Sequence, residues 1–199
     1  MTPVLPATPV LIRPAVMSDL TQVVALIAEA ARWIRQLDPG LAQWQTDDCW
    51  RRNWVHLDIV AGTLWVIEDA GRVVATITVD EWADADFWKP EDDVLSAFYC
   101  HRMAVTRSHA GRGLGSAMLD WASRLAEGAG RPLLRFDAWS TNHALHQYYK
   151  GLGFEMVRNE PLEWRGSGAL FQRRSAVRLD DPPVLCRSRT APLDWQVAA

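Results

Sequence analysis

A glycine-rich segment near the middle of the chain has the residue types and spacing of a phosphate-binding loop. Residues 110–116 have the sequence AGRGLGS and follow an apolar stretch that ends at Val105. Glycines let backbone N–H groups approach an anion closely, and a helix that begins near Leu114 would direct its partially positive N-terminus at the same point. Arg107 and Arg112 would add positive charge. Because alternating glycines also occur in tight turns that bind no ligand, a second motif is needed to assign this one.

That second motif lies downstream, in residues 142–154, which have the sequence NHALHQYYKGLGF. The two motifs together resemble the GNAT N-acetyltransferases. Members of that superfamily combine a Gln/Arg-x-x-Gly-x-Gly/Ala pyrophosphate loop with a later strand, an asparagine and a helix that ends in Tyr-x-x-x-Gly-Phe. Here Asn142 and the segment from Tyr149 to Phe154 supply the second half. Residues 12–20 also resemble the family's first strand and helix start, so the resemblance spans roughly residues 8–175.

The resemblance implies the GNAT fold, an α/β architecture with a mixed, mostly antiparallel central sheet flanked by helices, in which a parallel pair of central strands splays around acetyl-CoA. Apolar alternation predicts a hairpin from residues 64–68 and 73–79, and further strands at 97–105 and 133–139. The last two strands are connected by the helix that follows the glycine loop, so they should lie parallel. Residues 82–93 are predicted to form a polar loop.

We expect a single GNAT domain over residues 10–175. A chain of 199 residues with 49% hydrophobic content can bury one substantial core. Residues 1–9 are proline-rich and are predicted to be disordered. Residues 176–199 are predicted to form an irregular C-terminal tail.

The composition argues against several functional classes. A formal net charge of −3 does not favour a nucleic-acid partner, because neutralising phosphates requires a clustered basic surface. No secretion signal is recognised, and no apolar run approaches the ~20 residues that span a bilayer, so no membrane partner is expected. The chain has three cysteines, Cys49, Cys100 and Cys186. Their odd number argues against a set of disulfide bonds, and their spacing is not that of metal ligands. We therefore expect no metal site and a reducing, cytoplasmic location.

The resemblance also implies how acetyl-CoA would bind as co-substrate. Its pantetheine arm would lie beside main-chain groups near Val105, its pyrophosphate would meet amides of the glycine loop, and Asn142 would bond the pantetheine arm where the parallel strands splay. Ala110 stands where the family usually has Gln or Arg, so we expect altered affinity rather than lost binding. The implied binding residues are Met103, Ala104, Val105, Ala110, Gly111, Arg112, Gly113, Leu114, Gly115, Ser116, Asn142 and Tyr149.

The implied chemistry is direct attack of a primary amine on the thioester carbonyl in a ternary complex. A backbone N–H near Met103 or Ala104 would polarise the carbonyl. Tyr149, which stands at the motif position, would protonate the departing thiolate as the general acid. Tyr148 and Tyr149 also belong to an apolar stripe on one helical face, so core packing is the alternative for Tyr149 and the role expected of Tyr148.

The general base that deprotonates the amine is left open between several side chains. The candidates are His101, Tyr99 acting through a water, Asp137, and the pair Asp80 and Glu81. Alternation along the strand puts Tyr99 and His101 on one face with Met103. An acyl-enzyme at Cys100 is disfavoured, because a buried cysteine with no activating partner is usually inert.

Acceptor recognition in the family usually falls to the first helices and to the loop before the central strand. Tryptophans and acidic residues concentrate in these two regions. They are Trp33, Trp44, Trp50, Trp54, Asp80, Glu81, Asp84, Asp86, Glu91, Asp92 and Asp93. An acidic, aromatic-lined mouth would favour a small cationic amine, although such tryptophans also fill cores and such acids also only contact solvent.

The predicted function is N-acetylation of a small, cationic primary amine. One alternative is a protein or peptide N-acetyltransferase, which needs an open groove. Another is a non-catalytic acyl-CoA sensor, which would keep the glycine loop without needing Tyr149. A nucleotide-binding loop is disfavoured, because the Gly-Lys-Ser/Thr that holds a triphosphate and its metal is missing. A homodimer formed through the final strands is compatible with the resemblance.

Overall fold

The structure of the protein, a computed structural model, describes residues 10–41, 47–179 and 185–187. These residues contain one sheet of eight strands and four α-helices. The strands are β1 (Val10–Pro14), β2 (Leu64–Asp69), β3 (Arg72–Asp80), β4 (Ala97–Val105), β5 (Leu133–Trp139), β6 (Glu155–Asn159), β7 (Ser167–Arg174) and β8 (Leu185–Arg187). The helices are α1 (Leu20–Leu37), α2 (Asp48–Ala61), α3 (Leu114–Gly128) and α4 (His143–Gly151). The predicted disorder of residues 1–9 and the side chain of Trp44 lie outside the described residues.

The strand order across the sheet is β6-β7-β5-β4-β3-β2-β1-β8. Neighbouring strands are antiparallel except β4 with β5 and β1 with β8. The predicted α/β class, with a mostly antiparallel sheet and a central parallel pair, is confirmed. The tail predicted to be irregular differs at β8, which pairs with β1. Three residues are too few to leave a period in the sequence, so the pattern could not indicate this strand.

Helices cover both faces of the sheet because each helix presents one apolar stripe. In α1 this stripe is buried, with Val23 0% and Ile27 1% exposed. These side chains pack with Val66 of β2, whereas the neighbouring Trp65 packs on the other face in the cluster that contains Met118 of α3. Among the helices that the structure describes, none is long and apolar enough to cross a membrane.

A third, smaller cluster anchors the connection between β3 and β4, which the sequence predicts to be a polar loop. Phe87 and Trp88 are each 3% exposed and belong to a cluster with Tyr99 of β4. The rings of Trp88 and Tyr99 meet edge to face with 5.8 Å between centroids. The prediction is wrong for these two residues, because two adjacent aromatic side chains among charged neighbours show no hydrophobic period.

The two parallel strands separate soon after they pair. The register of β4 and β5 joins Ala97 to Leu133 and Tyr99 to Arg135. Both strands continue beyond this point, but no further pair joins them in the described part of the chain. A gap, here called the wedge, therefore opens between β4 beyond Tyr99 and β5 beyond Arg135. It lies at the carboxyl ends of the parallel strands, where open α/β sheets bind ligands.

A β-bulge interrupts β4 at the wedge. Between His101 and Ala104, the two residues Arg102 and Met103 stand opposite one residue of β3, Ile77. Arg102 has a φ of 50°, in the left-handed region. The extra residue makes β4 turn at this point.

The bulge reverses the alternation of side chains beyond it. The sequence predicts Tyr99, His101 and Met103 on one face. Met103 instead packs against the core cluster that contains Cys100, on the α3 face. Ala104 belongs to the cluster with α1 and α2. The prediction is wrong for Met103 because one inserted residue shifts a two-residue period by one.

Candidate active site

The glycine loop enters α3 through two left-handed glycines. Gly111 and Gly113 have φ values of 77° and 76°. A Cβ on Gly111 would meet no heavy atom within 4 Å, so backbone conformation rather than space requires glycine there. Gly113 is the N-cap of α3, and no side chain caps this helix in the described structure. The N–H groups of the first turn are therefore left without a side-chain acceptor, as a bound phosphate requires.

Tyr148 of α4 reaches the same helix start. Its hydroxyl would lie 3.2 Å from a Cβ on Gly115. Burial raises the pKa of the Tyr148 phenol, and hydrogen bonding with Ser116 opposes that rise. Tyr148 is 42% exposed, which differs from the core-packing role that the sequence predicts. Helical spacing alone could not show that this hydroxyl borders the glycine loop.

Tyr149 lies in the aromatic core beside the wedge. It is 8% exposed, and its ring centroid is 4.5 Å from that of Phe136 on β5. Burial raises the pKa of the Tyr149 phenol above its ordinary value of 10.0, and electrostatic interactions with Tyr148, Cys100 and Asp137 raise it further. Because Cys100 and Asp137 lie on β4 and β5 just beyond the last pair, the phenol is close to the wedge. It stays protonated at neutral pH.

His101 lies on the other face of β4 and has a carboxylate partner. Its Nε2 is 3.2 Å from Oδ1 of Asp80. Its ring centroid lies 5.5 Å from that of Trp82, and its side chain is 10% exposed. In the neutral tautomer whose Nε2–H donates to a carboxylate, Nδ1 of an imidazole is the nitrogen that can accept a proton.

Asp137 occupies the matching position on β5. Asp137 and His101 each lie two residues beyond the last β4–β5 pair, which involves Tyr99, and alternation puts both on the face of Tyr99. Arg165, from the connection between β6 and β7, is 3.6 Å from Oδ2 of Asp137 and also pairs with Asp84. The wedge is therefore flanked by His101 and Asp137 on one face and by Tyr149 on the other.

The remaining base candidates have other partners. The hydroxyl of Tyr99 donates to the carbonyl of Val94 at 3.0 Å. Burial raises the pKa of Tyr99, so this phenol is a weak proton acceptor at neutral pH. Glu81 pairs with Arg131. Burial also raises the pKa of Cys100, which keeps its thiol protonated and inert.

The acidic residues before β4 largely contact basic side chains of β4, β6 and the connections next to β5 and β7. The pairs are Asp80 with His101, Glu81 with Arg131, Asp84 with Arg165, and Asp92 with Arg158. The hydrogen bond from Arg158 lowers the pKa of Asp92. Tryptophans are used in the same way, since the guanidinium of Arg107 lies 3.7 Å from the ring centroid of Trp33. Because of these contacts, part of the negative charge and part of the aromatic surface that the sequence assigns to a cationic acceptor already interact with residues of the protein.

Trp139 connects the end of β5 to the first helices. Its Nε1 donates a hydrogen bond of 3.0 Å to the carbonyl of Gly40. Gly40 lies in the 3-10 turn Pro39–Leu41 that follows α1. Alternation along β5 puts Trp139 on the face of Asp137, and α1 packs with Ala104 of β4 on that face. The contact therefore connects the β5 side of the wedge to its β4 side on the face that carries His101 and Asp137.

Asn142 is the N-cap of α4. Its Oδ1 accepts a hydrogen bond of 3.0 Å from the N–H of Leu145. The amide nitrogen is then the part of the side chain that can donate to the pantetheine arm. Capping is therefore a second role for this residue, beside the one implied by the resemblance.

Comparison with known proteins decides the family. The model of the acetyltransferase (GNAT) domain matches residues 61–156. The chain is also 30% identical over 152 residues to YesJ of Bacillus subtilis, an uncharacterised N-acetyltransferase, with 72% of this chain and 81% of that protein aligned. The chain belongs to the GNAT acetyltransferases. It is an acetyl-CoA-dependent acyltransferase, as its motifs implied.

Solved GNAT structures share the fold. A GNAT-family acetyltransferase from Listeria monocytogenes superposes with a TM-score of 0.65 at 24% identity, covering 83% of this chain and 94% of that one. The structure of YncA from Salmonella typhimurium with its cofactor acetyl-CoA has a TM-score of 0.61 at 19% identity, covering 87% of this chain and 98% of that one.

The residues of this GNAT chain fit acetyl-CoA as co-substrate. Gly111, Gly113 and the uncapped start of α3 provide amide donors for the pyrophosphate. Beyond Tyr99, the edge of β4 that faces β5 is unpaired within the described residues, so main-chain groups from Met103 to Val105 can bond the pantetheine arm. Ala110 and Arg112 are exposed at the loop.

Proposed function

We propose that this GNAT enzyme acetylates the primary amine of a small molecule by direct attack while acetyl-CoA and the amine are both bound. The observation that supports a small acceptor, rather than a peptide, is the 3.0 Å hydrogen bond from Trp139 to Gly40. This bond bridges the acceptor face of the wedge, and a bridged pocket admits a small amine more readily than a length of peptide. The protein or peptide N-acetyltransferase is the alternative that the experiment below tests.

Four groups of the chain take part in the proposed reaction, each with its own role. Acetyl-CoA supplies the thioester carbonyl and the thiolate leaving group. Nδ1 of His101 removes a proton from the amine, and Asp80 holds the ring through Nε2. A main-chain N–H at Met103 or Ala104 polarises the carbonyl. Tyr149, on the opposite face, donates the proton that the thiolate takes.

The acceptor that we propose is cationic, and the charges that support it lie at the wedge itself. Asp80 and Asp137 flank the point where the ammonium must enter, and they have side-chain exposures of 16% and 14%. A carboxylate near the site attracts the protonated amine, which predominates at neutral pH. Asp137 meets Arg165 at 3.6 Å and Asp80 meets His101 at 3.2 Å, whereas Asp92, farther along the loop, is held by Arg158 at 2.6 Å and contributes less.

The test is acetyl-CoA-dependent release of CoA against matched panels of small amines and peptides, with products identified by mass spectrometry. We expect acetylation of a small cationic amine and initial-rate plots that intersect, as a ternary complex requires. Turnover of peptides alone would replace the proposal by the peptide alternative, and parallel plots would indicate an acyl-enzyme. Cys100→Ala is the control for an acyl-enzyme and should keep the wild-type pattern.

A further inference from the structure

The backbone at Arg102 is held in a conformation that arginine does not favour. Arg102 lies inside β4 with a φ of 50°. A residue with a Cβ adopts this region only when neighbouring contacts hold it there. The chain places this strain at the bulge of the strand that borders the wedge.

Asp58 of α2 provides those contacts. Its Oδ2 accepts hydrogen bonds from Nε of Arg102 at 2.7 Å and from Oγ1 of Thr78 at 2.8 Å. Nη2 of Arg102 lies 2.5 Å from the same oxygen. Asp58 is 8% exposed, and the guanidinium also lies 5.6 Å from the ring centroid of Trp54. We call Asp58, Thr78 and Arg102 the bulge clamp, since one carboxylate oxygen joins α2, β3 and β4.

We propose that the bulge clamp positions the main-chain N–H of Met103 or Ala104 that polarises the thioester carbonyl. The proposal rests on the proposed function, in which this N–H acts on the carbonyl. One inserted residue sets the direction of the N–H groups that follow it, and such a donor is effective only when its direction is fixed in advance. Asp58 and Arg102 are thus positioning residues that act through the backbone.

The bulge clamp also connects α2, one of the helices expected to contact the acceptor, to the backbone that we propose polarises the thioester carbonyl. Asp58 lies on α2, which carries Trp50 and Trp54, with ring centroids 5.3 Å apart. A change in the position of α2 reaches the bulge directly through the carboxylate. We therefore expect substitutions in the clamp to change turnover while leaving the glycine loop, and with it acetyl-CoA affinity, intact.

Two substitutions of the same residue separate backbone conformation from side-chain chemistry. Arg102→Ala and Arg102→Gly both remove the guanidinium, but glycine adopts positive φ without steric cost. The clamp acts by offsetting the strain of a positive φ, so its loss should let the alanine variant leave the bulge geometry. The glycine variant has no such strain to offset, and the β3–β4 pairs on either side of the bulge should keep its backbone in place. Asp58→Asn, which preserves shape, should resemble Arg102→Ala and should add no further loss on the Arg102→Gly background.

The primary measurement needs no acceptor. Acetyl-CoA labelled with ¹³C at the acetyl carbonyl is bound to the full-length protein, and the carbonyl stretching frequency is recorded by infrared difference spectroscopy. A hydrogen bond lowers that frequency relative to free acetyl-CoA. We expect the lowering in the wild type and in Arg102→Gly, and its loss in Arg102→Ala and Asp58→Asn, with acetyl-CoA affinity within about twofold in all four proteins.

Turnover supplies the second measurement. We expect kcat to fall about tenfold to a hundredfold in Arg102→Ala and to stay within about threefold of wild type in Arg102→Gly. Equal losses in both variants, or an undiminished carbonyl shift in Arg102→Ala, would overturn the proposal. If Arg102→Ala does not fold, Asp58→Asn decides by the same criteria. Failure of the proposed function would look different from failure of this proposal. If no amine is acetylated, the shift of the carbonyl stretching frequency can still be measured in all four proteins.

Discussion

The indole of Trp139 packs directly on the α-carbon of Gly166. A Cβ on Gly166 would lie 2.3 Å from both Cη2 and Cζ2 of that ring, far inside van der Waals contact. The same ring donates through Nε1 to the carbonyl of Gly40. Two loops that are distant in sequence therefore hold one side chain on the face of the wedge that carries His101 and Asp137.

Gly166→Ala should displace the Trp139 ring and change the acceptor site alone. We expect the KM for the amine to rise about fivefold to tenfold, because the added methyl forces the ring out of its position. Acetyl-CoA affinity, measured by calorimetry, should stay within about twofold. Gly151→Ala is the matched control, since a Cβ there meets no atom within 4 Å. Weaker acetyl-CoA binding with an unchanged KM would place Trp139 on the cofactor side instead.

His101→Gln should remove the proposed base while keeping a polar side chain of similar length. We expect kcat to fall about a hundredfold or more, in the range typical of general bases. Asp80→Asn should lower kcat about tenfold, because it loosens the imidazole without removing it. In a protein that already carries His101→Gln, Asp80→Asn should lower kcat little further. Steady-state kinetics on the four proteins of this cycle test the pair. Wild-type kcat in His101→Gln would move the base to Asp137.

Tyr149→Phe should lower kcat about tenfold to a hundredfold with acetyl-CoA affinity nearly unchanged. The neighbouring Tyr148→Phe is the matched control, and it should weaken acetyl-CoA binding about twofold to fivefold at nearly constant kcat, since its hydroxyl borders the glycine loop. Unchanged turnover in Tyr149→Phe would leave Tyr149 with core packing only.

The pH dependence of kcat tests the same phenol. Burial raises the pKa of Tyr149 above 10.0, so the neutral, proton-donating form persists as pH rises. We therefore expect no loss of kcat from ionisation of Tyr149 between about pH 7 and about pH 9. A decrease of kcat with rising pH in that interval, present in the wild type and absent in Tyr149→Phe, would contradict this assignment.

Gly111→Ala should weaken acetyl-CoA binding through the backbone. An L-residue at a φ of 77° is strained, and relief of that strain rotates the amides of the loop. A strain of about 1 kcal/mol corresponds to an increase of about fivefold in Kd, which calorimetry resolves. Gly128→Ala, at the end of α3, is the control and should bind normally. Equal Kd values for both variants would argue against amide contacts in this loop.

Asp19→Asn should destabilise the protein in a pH-dependent way. Burial raises the pKa of Asp19, but hydrogen bonds from Arg13 and from the N–H of Val16, with the charge of Arg13, lower it more, so it falls below 3.8 in the folded state. The ionised form therefore stabilises the fold above about pH 4, and that contribution is lost as pH falls through the lowered pKa. We expect urea unfolding at neutral pH to show a loss of roughly 2 kcal/mol, shrinking toward pH 3. A loss that is independent of pH would contradict this.

Local patterns predicted most of the scaffold. The bounds of β4 and β5 and the start of α3 coincide with the predicted segments, because apolar alternation and the glycines act over a few neighbouring residues. The buried aromatic pair Phe87 and Trp88 and the strand β8 were not predicted, because both depend on partners distant in the chain. The face of Met103 was wrong for the same reason, since the bulge is stabilised by Asp58 from another element.

The sequence by itself determined the family, the glycine loop and the position of Tyr149, because these depend on residue types at short, fixed spacings. Only the tertiary structure decided which candidates meet. It paired His101 with Asp80, brought Trp139 to Gly40, and joined Asp92, before β4, to Arg158 of β6. The physical reason is that hydrogen bonds and ion pairs act over a few ångströms, and which side chains come within that distance depends on how the strands twist, splay and bulge.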